Sequence, residues 1–392
     1  MTDAIVIVGI ARTAMGGMQG ALSEVTAPQL GATAIKGALE DAGIQAADVD
    51  EVLMGCVLPA GVGQAPARQA ALGAGLPAGV PCTTVNKVCG SGMKTVMMAA
   101  DALMMGNADI VVAGGMESMS NAPYMLPKAR SGYRLGHGEV VDHMFFDGLQ
   151  DAYEGALMGS FAEQTAEKYD FSRESQDAYA IESLARANKA IGEGKFKREI
   201  TAVTIKTRKG EVVVDTDEQP GNARPDKIPN LKPAFKKGGT VTAANASSIS
   251  DGAAALVLTR QSVAEARGLK PLAVIRASAQ HAQEPEWFTT APVGALRKLL
   301  EKVSWTVDDV DLFEINEAFA VVPMAGMAEL DIPHEKANVH GGACALGHPL
   351  GASGARIIVT LLAALETYGK KNGVASLCIG GGEATALAIE KL

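Results

Sequence analysis

Cys89 lies in Val85-Asn86-Lys87-Val88-Cys89-Gly90-Ser91-Gly92-Met93-Lys94, between a β-leaning run at Thr83–Val85 and a long apolar run reaching Gly106. This is the pattern of a strand turning sharply into a helix, with the cysteine at the bend and Gly90 and Gly92 permitting unusual backbone angles. A thiol at a helix N-terminus faces unpaired N–H groups and the positive end of the macrodipole. Both favour thiolate and predict a pKa below the free value of about 8.5. A cysteine alone is most often a small buried hydrophobe, so a nucleophile needs a base and an oxyanion site as well. Gly341-Gly342-Ala343-Cys344-Ala345-Leu346-Gly347-His348-Pro349-Leu350-Gly351 supplies a candidate base, since His348 alone of six histidines lies in a glycine-rich loop before an apolar helix. Cys378-Ile379-Gly380-Gly381-Gly382 sets a second cysteine at a strand end, before glycines whose N–H groups can form an anion nest. Asn316-Glu317-Ala318-Phe319 follows a strand at Leu312–Ile315, where a buried asparagine can hold a water, and Ala243-Ala244-Asn245-Ala246-Ser247-Ser248 offers small polar residues for close ligand contact. Together they suit covalent acyl transfer: a thioester on Cys89, activation by His348, glycine N–H groups for the oxyanion, and Cys378 to deprotonate a carbon beside a thioester.

Such a set must be positioned by a core of unusual make-up. The 392 residues are 47% hydrophobic but only 4% aromatic, with 44 glycines, so Ala, Val, Leu, Ile and Met must pack closely at glycine contacts. This length accommodates two domains or one duplicated one. A net charge of −9 argues against nucleic acid as a partner, while basic runs at 195–210 and 224–237 leave room for a phosphorylated ligand. Cys56, Cys82, Cys89, Cys344 and Cys378 are odd in number and lack zinc-ligand spacing. Neither a metal site nor a disulfide framework is expected, and a reducing, cytoplasmic compartment fits. Met1-Thr2-Asp3 carries no basic region or signal-peptide core. No apolar run reaches the roughly 18 residues of a membrane span, so no membrane partner is expected. Glu390-Lys391-Leu392 reads as a strand end.

Strand-like and helix-like segments alternate. Ala4–Ile10 reads as a doubly buried strand, and Pro28 and Gly43 bracket a helix. Val49–Val57 is a strand, Ala65–Leu72 a helix, and Ile110–Ala113 a strand ending at Gly114-Gly115. The alternation predicts an α/β fold with largely parallel pairing. The order then recurs: Asp48-Val49-Asp50 matches Asp309-Val310-Asp311, Gly90-Ser91-Gly92 matches Ala352-Ser353-Gly354, and Val111-Val112-Ala113-Gly114-Gly115 matches Leu377-Cys378-Ile379-Gly380-Gly381. Three pairs in register imply an internal duplication. Ser91–Met105 and Ser353–Leu365 are apolar nearly all round, so each must be buried on every side. Two sheets with both helices between them and amphipathic helices outside give a five-layer α-β-α-β-α sandwich. The expected units are 1–118 with 250–270, an inserted loop domain at 119–249, and 271–392. The insertion is richer in charge, Tyr, Phe, Gly and Pro, with helices at Met158–Lys168 and Arg173–Ile191, the second capped by Ser172.

With these residues in place the chain resembles the thiolase family from end to end. The resemblance is carried by Val85–Gly92, Gly114-Gly115-Met116-Glu117-Ser118-Met119-Ser120, Asn316-Glu317-Ala318-Phe319, Gly347-His348-Pro349 and Cys378-Ile379-Gly380-Gly381-Gly382. It is greatest to the short-chain biosynthetic branch, which joins two acetyl-CoA molecules into acetoacetyl-CoA and releases CoA. The resemblance implies that Cys89 is acylated and that His348, with a water on Asn316, lines an oxyanion hole for the enolate. It implies a second hole from the N–H groups of Cys89 and Gly380, and α-proton transfer by Cys378. Ser247, Ala318 and Phe319 would line the substrate site, Ser247 and the inserted domain would hold pantetheine, and Arg224 would approach the nucleotide phosphates. Coenzyme A thioesters are then substrates, no cofactor is needed, and a homotetramer (a dimer of dimers) assembles through a loop like Tyr124–Val141. Leu157 stands where the family often has histidine, removing a polar contact to pantetheine, and Phe288 stands where the short-chain pocket often has methionine. A broader 3-ketoacyl-CoA thiolase, a decarboxylating ketoacyl synthase and a non-catalytic acyl-CoA- or lipid-binding protein on the same scaffold are the competing readings.

Overall fold

The structure, a computed structural model, describes residues 3–208 and 210–392. The reading of Met1-Thr2 and the Lys209 position of the basic run lie outside the described residues. Long apolar runs form strands buried on both faces: β1 (Ile5–Arg12) and β4 (Ile110–Ser118) are buried at every position. With β2 (Glu51–Gly55), β3 (Cys82–Val85), β5 (Ser250–Arg260), β6 (Ala273–Ala282), β7 (Leu312–Ile315), β8 (Asn372–Ile379) and β9 (Glu383–Lys391) they make a sheet in the order β7-β8-β9-β6-β1-β5-β4-β2-β3, and Gly16–Gly17 adds a tenth strand beside β5.

The pairing senses repeat from the centre outward. β1–β5 and β5–β4 are antiparallel and β4–β2 is parallel; β6–β9 and β9–β8 are antiparallel and β8–β7 is parallel. The duplication seen in three short motifs is thus written into the sheet. Two expectations are corrected. Pairing is mixed rather than largely parallel, because β5 and β9 return between strands of the opposite sense. The two sheets are also continuous, joined where β1 meets β6 through Val6↔Val274 and Ile7↔Ala273.

Both arms cover the same two helices, Ser91–Met104 and Leu350–Tyr368. One core contains Ile7, Val111 and Leu256 from one arm, Ala375, Leu377 and Leu387 from the other, and Met93, Val96, Leu361 and Leu365 from the helices. Each Val, Leu, Ile or Met side chain among them contributes about 1.5–3 kcal/mol on burial. Outside, Ala27–Ala42 and Pro66–Gly73 close the first arm, and Ala291–Val303 and Val321–Leu330 close the second. The result is the five-layer sandwich.

Leu350–Tyr368 is long and apolar enough to cross a bilayer, although Ser353, Arg356 and Thr360 kept it from reading as one apolar run. Its most apolar window is 89% buried in protein, so it is a core helix. The helix pair meets at reciprocal glycines. A Cβ on Gly92 would lie 2.7 Å from the Ala355 nitrogen, and one on Gly354 would lie 2.3 Å from the Met93 nitrogen. Gly115, expected to end its strand, lies inside β4, where a Cβ would sit 1.9 Å from the Gly351 carbonyl oxygen.

The segment 119–249 contains the expected helices, at Met158–Lys168 and Arg173–Gly192, and Ser172 Oγ accepts the Ser175 N–H at 3.1 Å. Two hairpins there, Tyr124–Met125 with Val141–Asp142 and Val203–Thr207 with Gly210–Val214, had no distinct sequence signal.

Candidate active site

The bend at Cys89 is built differently from its sequence pattern. Gly90 has ordinary angles, φ −81° and ψ −1°, and the left-handed residue is Val88, at φ 44°. A β-branched residue held there is strained, and a local network fixes it. The Val88 N–H donates to Asn86 Oδ1 at 2.9 Å, and the Lys87 N–H donates to Ser91 Oγ at 2.8 Å. Ser91 Oγ in turn donates to the Val88 carbonyl at 2.6 Å. Gly90 and Gly92 serve close approach instead, since a Cβ on Gly90 would meet Ile379 Cδ1 at 2.4 Å. An ion pair from Lys87 to Glu383 ties this loop to the one after Cys378.

Cys89 is 7% exposed. Its sulfur lies by the N–H of Gly380 and its own N–H, yet burial outweighs both and raises the thiol from an ordinary value near 9 to about 11. That rise corresponds to roughly 3 kcal/mol, against about 0.3–1 kcal/mol for a charge at a helix terminus. The expectation of a lowered pKa is therefore corrected: Cys89 is a thiol, with the N–H groups of Gly380 and of Cys89 itself beside its sulfur. Cys378 is fully buried beside it, and burial, then the neighbouring Cys89, hold its thiol well above the ordinary range.

His348 is presented by Gly347, whose φ is 100° and where a Cβ would lie 2.0 Å from Ser250 Oγ. Its Nδ1 is 2.5 Å from Ser353 Oγ, and that hydroxyl donates its one hydrogen to the Pro349 carbonyl at 2.9 Å. In the tautomer that fits this bond, Nδ1 carries the proton and Nε2 is left as an acceptor. Nε2 has no hydrogen-bond partner among the described residues. Burial, and secondarily the positive Arg356, push the imidazole down to about 3. Burial thus favours the uncharged form of both the imidazole and the thiol.

A cavity of about 360 Å³ joins the two. Cys89, His348, Gly380, Ser247, Ala318, Phe319, Phe288 and Leu157 all line it. Asn316 and Cys378 stand behind its wall, 1% and 0% exposed. They share one framework, because the Asn316 N–H donates at 3.0 Å to the Ser376 carbonyl, two residues before Cys378. Asn316 Oδ1 receives a 3.4 Å bond from Arg356, and Nδ2 has no partner among the described residues. Arg224 does not reach this cavity. It is exposed and lines an adjacent cavity of about 290 Å³ that shares Ala243 and Ser248. No cluster of metal-ligating side chains occurs among the described residues.

The family comparison is decisive over the whole chain: residues 5–262 match the thiolase N-terminal domain and residues 269–391 the thiolase C-terminal domain. The chain belongs to the thiolase family. It is 51% identical over 389 residues to an acetyl-CoA acetyltransferase of Chromobacterium violaceum, covering 99% of each chain. Among solved structures, it resembles the Bacillus anthracis acetyl-CoA acetyltransferase at 43% identity and a TM-score of 0.97, covering 100% of this chain and 99% of that one. It also resembles the Acat5 thiolase from Ascaris suum, solved in complex with coenzyme A, at 43% identity and a TM-score of 0.94, covering 99% and 100%.

In this thiolase several site-shaping residues carried too little sequence signal to be singled out. Ser353 was visible only as the repeat partner of Ser91. Glu117, within a matched motif, accepts the N–H groups of Val57, Leu58 and Gly351 and so ties β4 to the second core helix; burial raises it to about 7. Glu317 accepts from Tyr179, Ser183, Asn338 and the Cys344 N–H, fastening the His348 loop to the Arg173–Gly192 helix. Phe235 packs edge-to-face on Phe319, with centroids 6.0 Å apart, and lines the cavity with Met158, Phe145 and Leu149. A lone aromatic in a polar stretch announces no such contact.

Proposed function

We propose that this thiolase catalyses the reversible Claisen condensation of two acetyl-CoA molecules to acetoacetyl-CoA and CoA through an acetyl-thioester on Cys89. The carrying observation is Cys89 sulfur beside the N–H groups of Gly380 and Cys89 itself, in one cavity with His348, whose Nε2 is unpartnered. Cys89 gives its proton to His348 Nε2 as sulfur attacks the thioester carbonyl, and the oxyanion forms at the two N–H groups. CoA leaves as thiolate and takes a proton from Cys378. Cys378 thiolate then removes the α-proton of a second acetyl-CoA, whose enolate oxygen faces imidazolium and a water on Asn316. The carbanion attacks the Cys89 thioester, and the released sulfur recovers its proton from His348. Every proton is back in place at the end of the cycle.

Ser247, Ala318 and Phe319 would hold the pantetheine arm, Leu157 would contact it without a polar bond, and Phe288 would bound the acyl end. Arg224, beyond the adjoining wall, would meet the nucleotide phosphates. The substrates are coenzyme A thioesters, the mechanism invokes no metal, and assembly as a homotetramer through Tyr124–Val141 in a reducing cytoplasm completes the reading. The deciding test is Cys89→Ala. We expect no acetyl group on the protein after acetyl-CoA is added and a loss of at least about 10⁴-fold in acetoacetyl-CoA thiolysis. Cys378→Ala should still be acetylated but should not condense. Normal thiolysis by Cys89→Ala would sink the mechanism, and higher kcat/KM on longer 3-ketoacyl-CoAs would replace acetoacetyl-CoA as the preferred substrate.

A further inference from the structure

Arg356 lies on the second core helix with no exposed surface, against Asn316, which the mechanism assigns to the water at the enolate oxygen. Its guanidinium donates at 3.4 Å to Glu314 Oε2 through one terminal nitrogen and at 3.4 Å to Asn316 Oδ1 through the other. Glu314 and Asn316 are two apart along one extended segment and so face the same helix. We propose that Arg356 is a positioning residue for the reaction: its fork fixes which end of the Asn316 amide faces the water at the enolate oxygen. This rests on the thioester mechanism above, whose failure would show in Cys89→Ala independently of any Arg356 variant.

A guanidinium has donors and no acceptor, so the amide atom facing it must be oxygen. Nδ2, the donor, is thereby turned away from Arg356, and it is the atom left without a protein partner. Without the fork nothing fixes the amide, and a half-turn would present Oδ1 instead of Nδ2 to the water that faces the enolate, taking one of that water's two hydrogens. The second effect is electrostatic. Arg356 is the charged group that acts with burial to hold His348 down, and a low-dielectric interior lengthens its reach. Charges acting on Arg356 itself are Glu314 and Glu317 from β7 and the turn after it, Glu199 from the inserted segment, and Arg12 from β1. Burial of Glu314 costs enough to raise it to about 8 even with Arg356 beside it. A pair this expensive to bury is weak evidence for stability as such, which favours a role at the site it borders.

Two substitutions separate the two effects. Arg356→Lys keeps the charge and loses the fork: kcat should fall about 10- to 100-fold, KM should stay within about threefold, and the acid limb of the kcat profile should not move. Arg356→Met loses both: kcat should fall further, and the acid limb should move up but stay below the ordinary imidazole value of about 6.5, because burial, the larger cause, remains. On an Asn316→Ala background Arg356→Lys should cost little more, because both changes act on the same amide. If Arg356→Met fails to fold, Arg356→Met with Glu314→Met removes both buried charges and should show the same shifted limb. In the unmodified protein, imidazole ¹⁵N shifts should show His348 neutral with the proton on Nδ1 from pH 5 to 8. Folded Arg356→Lys or Arg356→Met with unchanged kcat would overturn the inference.

Discussion

The two core helices begin alike and do different work. Each start carries a serine that the repeat places in register, Ser91 in one and Ser353 in the other. Ser91 Oγ donates to the Val88 carbonyl and accepts a backbone N–H, from Lys87. Ser353 Oγ donates to the Pro349 carbonyl and accepts from the His348 ring. The donor side is the same, an oxygen of the preceding turn. The acceptor side has diverged. In the first half it stiffens a strained loop around a nucleophile, and in the second it selects the tautomer of a base. A duplicated scaffold thus supplies two equivalent frames, and a change in one acceptor's partner is enough to give them complementary roles.

The glycine contact that both halves share gives the largest expected effect. Gly354→Ala and Gly92→Ala each drive a methyl group into the partner helix's backbone, which cannot give as a side chain can. Each should lose about 3 kcal/mol or more in urea unfolding, Gly354→Ala the more because its contact is shorter. Equal, near-zero losses would mean that the helices do not meet as described. Next come the serines. Ser353→Ala should lower kcat about 100-fold with KM for acetyl-CoA little changed, whereas Ser91→Ala should mainly lower Tm. Matching effects on kcat would erase the distinction drawn between the two frames. The last test concerns the thiol and imidazole before any substitution. With Cys89 near 11 and His348 near 3, thiolate accumulates only as pH rises, so alkylation of Cys89 by iodoacetamide should quicken about tenfold per pH unit between 7 and 10. A plateau beginning near pH 7 would instead reveal a thiolate–imidazolium pair.

Much of this was legible in the sequence, for identifiable reasons. Buried strands and all-round apolar helices announce themselves by composition, and the repeat exposed the layer arrangement before any contact was known. The cavity residues were legible because glycine-rich loops around Cys89, His348 and Gly380 have few other uses. What failed was anything decided by a partner far away in the chain. The sense of β5 and β9 depends on their neighbours. The Cys89 ionisation turned on burial by both halves, which outweighs a local helix-terminus effect. Gly90 looked like the strained residue because glycine tolerates strain, yet the network of Asn86, Lys87 and Ser91 places it on Val88.

The seam between the arms has a bearing on how the enzyme fails. Among the described residues the strands are paired across it at two positions, while Cys89 belongs to one arm and His348, Asn316 and Cys378 to the other. Mutual alignment of thiol and imidazole therefore depends on the helix pair wedged behind them, and a slight loosening there would separate the reactants before any strand is lost. On heating, turnover should disappear ahead of the far-ultraviolet signal of secondary structure.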